Sequence, residues 1–250
     1  MAIKLLISDV DGTLLRAGES EVSVGIKKKI AAFLASGGNV AIASGRTYYS
    51  LLRLFREFED SVYFIPCDGA LCIKSGRVLY HRPISMGSIR SAFATAKERG
   101  LALHLAGAER GYVFGDSEFE EKMTRWQVDE FSAVSTASEV REPIYKLAFY
   151  GKSPNFAAVP ADLRKSYVGN GWVEYVYRYA DKGLALSDLQ SRLYLTKFDT
   201  AAIGDGSNDV SMLKGAKYAY ALNPALKDAI PSVILPENAE EALDWMRTAK

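Results

Sequence analysis

Ile3-Lys4-Leu5-Leu6-Ile7-Ser8-Asp9-Val10-Asp11-Gly12-Thr13 is a short β-rich apolar run that closes on two carboxylates and a glycine. Such a run, apolar at consecutive positions, predicts a strand buried on both faces in a parallel sheet. Its carboxylates then fall at the carboxyl edge, where open α/β sheets bind ligands. A second cluster near the other end, Gly204-Asp205-Gly206-Ser207-Asn208-Asp209, also follows an apolar run. Four aspartates gathered at one edge repel one another unless a cation joins them, so the pair of clusters predicts a metal site.

Working outward from the first cluster, Ser23 is a candidate N-cap for a helix carrying Val22, Ile26, Ile30, Phe33 and Leu34 at helical spacing, stopped by Gly37-Gly38. Residues 39–43 read as a second buried strand, 47–58 as a helix and 62–65 as a third strand, the alternation of a parallel sheet covered on both faces. The rhythm then changes. Residues 71–73 and 77–81 flank Lys74-Ser75-Gly76 as a hairpin, and after Pro83 come helices near 86–99 and 118–130 with strands near 101–106, 112–114, 145–150 and 172–177. From Asp181 the first rhythm returns. A helix runs through Leu184, Leu186, Leu189 and Leu193, a strand over 200–203 enters the second cluster, and a helix follows from Asn208. Short strands at 218–222 and 233–235 precede a last helix over 237–246. The fold class is α/β, with a Rossmann-like parallel-sheet core interrupted by an α+β domain. The core takes residues 1–82 and 179–250, the insertion 83–178.

Composition excludes several functions. Of 250 residues, 48% are hydrophobic and 24% charged, the net charge is +1 and the signs are interspersed, so no basic stripe for nucleic acid exists. No run reaches transmembrane length and the first residues lack a signal peptide's apolar region, which predicts a cytoplasmic protein without a membrane partner. Cys67 and Cys72, the only cysteines, make neither a disulfide framework nor a zinc site and read as buried thiols. A monomer and a homodimer fit the sequence equally.

Asp9 and Asp11 stand two apart, so an extended backbone points both the same way, and Gly12 lets the chain turn. Such a pair divides labour: one carboxylate attacks an electrophile, the other, held protonated by its neighbour's charge, hands a proton to the leaving group and later takes one from water. A plain Asp-Gly turn is the alternative. Ser44 and Gly45 follow the second strand, where a hydroxyl and backbone N–H groups suit a phosphate, or where a serine caps a helix. Lys182 opens the returning helix, a position the dipole disfavours, and either binds phosphate oxygens beside Asp9 or lies exposed. Asp205, Asn208 and Asp209 combine two carboxylates and an amide in a turn suited to a hard cation such as Mg²⁺.

Asp-x-Asp-Gly-Thr, Ser-Gly-Arg after the second strand, Asp-Lys-Gly-x-Ala-Leu and Gly-Asp-Gly-x-Asn-Asp, in this order, resemble the four motifs of the haloacid dehalogenase superfamily. The insertion between the second and third is similar to the type IIB (C2B) cap of its Cof-like phosphatases. The resemblance covers essentially the whole chain. It implies Asp9 as a nucleophile that forms an aspartyl-phosphate and Asp11 as general acid/base. It implies Mg²⁺ held by the Asp9 carboxylate, the Asp11 backbone carbonyl and Asp205, with Asp209 close behind. Ser44, Gly45, Lys182 and Asn208 would hold the phosphoryl group. One position departs: the family often has Asn-Gly-Ala after the third strand, and this chain has Asp68-Gly69-Ala70.

The resemblance therefore implies a Mg²⁺-dependent phosphatase acting on a small phosphorylated metabolite, a sugar phosphate in the first instance, with the insertion as a specificity lid. A phosphoglycolate phosphatase and a phosphohexomutase share the motifs. A phospho-acceptor signalling module, which also gathers acids and a lysine on a parallel sheet, is disfavoured by Asp11, whose carboxylate would shorten the life of an aspartyl-phosphate. His81, His104, Tyr175, Tyr177, Arg178 and Tyr179 carry no comparable signal.

Overall fold

A computed structural model describes residues 3–16, 18–126, 130–152 and 160–248. β1 (Leu5–Ser8), β2 (Asn39–Ala43), β3 (Tyr63–Ile65), β4 (Leu71–Lys74) and β5 (Arg77–His81) join β12 (Thr200–Gly204) and β13 (Tyr218–Ala221) in one seven-stranded sheet. Its order is β13-β12-β1-β2-β3-β4-β5, parallel except for the β4–β5 hairpin at the edge.

Alternation along these strands feeds two cores. Leu6, Val40, Ile42, Phe64, Ala201 and Ile203 face one side, with Ile26 and Ile30 of α1 (Val24–Ala35), Leu51 of α2 (Tyr48–Leu54) and Leu243 of α7 (Ala239–Thr248). Leu5, Ile7, Ala41, Ala43, Ile65 and Ala202 face the other, against Leu186 and Leu189 of α5 (Lys182–Arg192) and Leu213 of α6 (Val210–Lys214). Both faces are dry, which is why β1 shows no polar alternation in sequence.

The chain between the hairpin and α5 builds a second sheet of order β10-β11-β9-β6-β7-β8. These strands are β6 (Ala102–Ala106), β7 (Gly111–Phe114), β8 (Phe131–Ala133), β9 (Lys146–Tyr150), β10 (Leu163–Gly169) and β11 (Trp172–Tyr177), antiparallel but for β7 and β8. α3 (Met86–Arg99) covers one face, its Ile89 and Phe93 packed with Leu103, Leu105, Leu147, Phe149, Val173 and Tyr175. Strand alternation turns His104, Lys146 and Glu174 to the opposite face. α4 (Ser117–Trp126) packs Phe119 and Met123 against Val113 at one end.

The α/β sheet with its α+β insertion matches the sequence reading, with local differences. The expected helix over 47–58 ends at Leu54 and resumes as a 3₁₀ turn, Arg56–Phe58. The expected strand over 233–235 is a single bridge, Ile234 to Tyr220, because two prolines, Pro231 and Pro236, bracket it and remove ladder donors. β8 and β10 escaped the sequence reading: β8 is three residues long, and β10, Leu-Arg-Lys-Ser-Tyr-Val-Gly, is too polar and irregular to show a clear alternation. The last turn of the expected helix over 118–130 falls partly outside the described residues. Among the described residues, no helix is long and apolar enough to cross a membrane.

Candidate active site

β1 lies between β12 and β2, and the chain leaves it toward β2, so the strand order reverses beside β1. That switch point opens a crevice at the carboxyl ends, and the loops after β1, β2, β3 and β12 all empty into it. Asp9 and Asp11 come from the first loop, Ser44, Gly45 and Arg46 from the second, Asp68 from the third, and Asp205 and Asn208 from the fourth. All eight line one cavity of about 600 Å³.

Asp9 is buried and its Oδ1 accepts a hydrogen bond from Lys182 Nζ at 2.6 Å. The same ammonium donates to Asp209 Oδ1 at 2.6 Å. Lys182 is 1% exposed, so the lysine that opens α5 is a core residue rather than a surface one. Asp181 caps that helix, accepting from Leu184 N at 2.9 Å and from the Ser211 hydroxyl at 2.8 Å. Burial pushes the Asp9 carboxyl up to about 7 against the pull of Lys182, and the charge of Asp209 adds to the rise. Burial alone would lower the Lys182 pKa, yet Asp9 and Asp209 together hold it above the usual lysine range.

Asp209 is fully committed. Its Oδ2 accepts from the Asp205 and Gly206 amides at 3.0 and 2.9 Å, which fixes the turn after β12. Burial and the Asp209 charge both raise the Asp205 pKa. One carboxylate oxygen from each of Asp9, Asp205 and Asp209 falls within 4.8 Å of the others. Three hard oxygen donors gathered in this way fit a hard divalent cation. With Asp209 engaged by Lys182 and two amides, Asp9 and Asp205 are the side chains best disposed to bind it. Gly12 makes the approach possible: at φ +79°, a Cβ there would stand 2.0 Å from Asp205 Oδ2.

Asp11 differs from its expected posture. It does not share the orientation of Asp9; its carboxylate turns to Arg46, accepting from Nε at 2.8 Å and Nη2 at 2.7 Å. Both oxygens accept from the guanidinium, a bidentate pairing that fixes the plane of the carboxylate. Arg46 was legible only as the third letter of Ser44-Gly45-Arg46, with nothing to show which carboxylate it would meet. Ser44 is not the cap of α2. Thr47 is, through Ser50 N at 3.3 Å, while the Ser44 hydroxyl accepts from Arg46 N at 3.1 Å. Asn208 donates from Nδ2 to Asp68 Oδ1 at 3.1 Å.

The profile of haloacid dehalogenase-like hydrolases matches residues 6–242, a span that includes all four motif loops. The chain belongs to this family. Its curated relatives include 5-amino-6-(5-phospho-D-ribitylamino)uracil phosphatase YbjI of Escherichia coli, 21% identical over 239 residues, covering 90% of this chain and 87% of the relative. Among solved structures, a haloacid dehalogenase-like hydrolase from Bacteroides thetaiotaomicron superposes with a TM-score of 0.82 at 20% identity, over 97% of this chain and 99% of that one. The subclass IIB sugar phosphatase BT4131 gives a TM-score of 0.74 at 20% identity, over 98% of both chains. These structural likenesses are ones of fold. They extend over both sheets of this hydrolase, and the cavity lies between the second sheet and the motif loops.

His104, Lys146, Ser166, Tyr167 and Glu174 reach the cavity from the second sheet. No spacing in the sequence marks them, because they meet only through cross-strand register. Tyr175 instead lies in the core of that sheet, Arg178 donates to the Ala161 carbonyl at 3.0 Å, and His81 meets the Tyr145 hydroxyl at 3.1 Å.

Proposed function

We propose that this hydrolase is a Mg²⁺-dependent phosphatase that removes the phosphoryl group from a small phosphorylated metabolite, a sugar phosphate in the first instance. The observation that carries the reading is Asp9: a buried carboxylate at the switch point, ion-paired to a buried lysine, lining a cavity large enough for a phosphorylated metabolite. Residues 1–82 and 179–250 act as the catalytic core in this reading, and 83–178 as the cap.

An Asp9 carboxylate oxygen attacks phosphorus, the ester P–O bond breaks, and Asp11 supplies a proton to the departing oxygen. Asp11 then accepts a proton from the water that attacks the aspartyl-phosphate, releasing phosphate and restoring Asp9. Lys182 balances the anion beside Asp9, and Ser44, the Gly45 backbone and Asn208 orient the phosphoryl oxygens. Mg²⁺, held by the Asp9 carboxylate, the Asp11 backbone carbonyl and Asp205 with Asp209 behind, would offset phosphoryl charge. Cap residues over the cavity exclude bulk water from the transfer.

The test is a panel of phosphomonoesters with Mg²⁺, run beside Asp9→Asn. Turnover by the wild type and its loss in a folded Asp9→Asn variant are expected. Folded wild type that releases no phosphate from any member of a broad panel would overturn the reading.

A further inference from the structure

The cavity has two ends of different chemistry. The motif loops bring the charged groups that suit a phosphoryl group, and the second sheet brings His104, Lys146, Ser166, Tyr167 and Glu174 to the opposite side, where a leaving group would lie. Lys146, on β9, is ion-paired to Glu174 on the neighbouring strand β11. Lys146 is buried, and burial would lower its pKa, but Glu174 and Asp68 are among the groups that hold it charged. One ammonium therefore answers to two carboxylates, one from the cap sheet and one from the core. Arg53 also lines the cavity, but it is exposed and its charge is screened by solvent.

Two further features point to hydroxyl recognition. The register of β10 against β11 slips between Lys165 and Tyr167, so Ser166 occupies a bulge, a device that re-aims a side chain beside a site. Its Oγ is buried and has no hydrogen-bond partner among the described residues, although the residue lines the cavity. Asp68 sits at φ +54° after Cys67 at φ +52°, two successive non-glycine residues in the left-handed region. The Asn208 amide and the Asp68 N–H bond to the Ser44 carbonyl at 3.0 Å hold it there. An asparagine at 68 would fit the same backbone without the charge.

We propose that this chain selects phosphomonoesters whose leaving group is an uncharged polyol, with Asp68, Glu174 and Ser166 accepting its hydroxyls, and discriminates against leaving groups that bear a second anion. The inference rests on the phosphatase reading and adds the leaving-group class to it. Carboxylates accept from hydroxyls readily, whereas a carboxylate or second phosphate on the substrate would face the Asp68 and Glu174 carboxylates, with the one buried ammonium there, Lys146, already paired to Glu174. It runs against phosphoglycolate, whose leaving group is itself anionic.

The experiment compares kcat/KM, with Mg²⁺ and at fixed ionic strength, for a hexitol phosphate, the matched aldonate phosphate and a hexose bisphosphate. p-Nitrophenyl phosphate serves as a substrate that asks nothing of the polyol contacts. The hexitol ester should exceed both substrates that bear a second anion by at least ~10-fold, the equivalent of about 1.4 kcal/mol. Asp68→Asn and, independently, Glu174→Gln should narrow the ratio, which is taken within each variant so that a general loss of activity cancels. Equal or better turnover of the anionic leaving groups by wild type, or an unchanged ratio in both variants, overturns the proposal. Folded wild type that fails even on p-nitrophenyl phosphate and every other ester overturns the phosphatase reading, and this inference with it.

Discussion

Arg46 grips both carboxylate oxygens of Asp11, through Nε at 2.8 Å and Nη2 at 2.7 Å, and also donates from Nη1 to the Ser50 hydroxyl at 3.2 Å. The arginine is thus anchored to the first turn of α2, and a bidentate fork fixes the plane of the carboxylate as well as its position. In the mechanism we propose, Asp11 must leave that grip, or share it, to hand over a proton. Asp11→Asn should lose about 10²–10⁴-fold in kcat, the range of general acid/base assistance. Arg46→Ala should lose less, and the double variant should be no worse than Asp11→Asn alone, since Arg46 acts through Asp11. Strictly additive losses in steady-state kinetics would show instead that Arg46 acts by a contact of its own.

Gly12 and Gly76 both have positive φ, +79° and +69°, yet only one is crowded. Alanine at 12 meets the Asp205 carboxylate, while alanine at 76 meets nothing within 4 Å. Both substitutions should cost about 1–3 kcal/mol of backbone strain, read as a shift in urea midpoint. Gly12→Ala alone should abolish turnover and weaken Mg²⁺ binding by titration calorimetry. Full activity in Gly12→Ala would mean that Asp205 is free to move away without loss.

Local chemistry and cross-strand register were unequally visible in the sequence. Asp9, Ser44, Lys182, Asp205 and Asp209 were legible because each stands at a strand end or helix start, and buried parallel strands write themselves as apolar runs. Lys146, Glu174 and His104 were not. They sit on three strands, and their meeting depends on the pairing of β6 with β9 and of β9 with β11, which no short spacing encodes. Ser166 was hidden for a related reason, because a bulge appears only once two strands are aligned. Arg46 was visible as a letter, but its pairing with Asp11 shows only once the loops after β1 and β2 are brought together, with Asp9 taken by Lys182.

Lys182 lies between Asp9 and Asp209 with its side chain fully buried. Lys182→Met removes the cation and leaves two carboxylates facing each other, so metal-free protein should lose about 3–5 kcal/mol in urea unfolding. Saturating Mg²⁺ should stabilise the variant more than the wild type, because the dication then becomes the sole counter-charge. Equal stabilisation of both proteins would place the metal away from Asp9. Chelation by EDTA should abolish turnover of the wild type, and restoring Mg²⁺ should return it.

Burial pushes the Cys72 thiol up to about 12, with the nearby Asp188 charge adding to the rise, and Cys67 is also buried. A thiol in that state is almost entirely protonated at neutral pH, and the thiolate is the nucleophile. Folded protein at pH 8 should therefore react slowly with iodoacetamide, while urea should expose both of the chain's 2 cysteines to rapid alkylation, counted by mass spectrometry. The direction with pH follows from the raised value: the thiolate fraction of folded protein grows about tenfold per pH unit up to about 12, so labelling should accelerate steadily from pH 7 to 10 without a plateau. A plateau near pH 9 would mark an ordinary exposed thiol and would contradict the packing of β4, where Cys72 sits among Tyr63, Ile65 and Leu189.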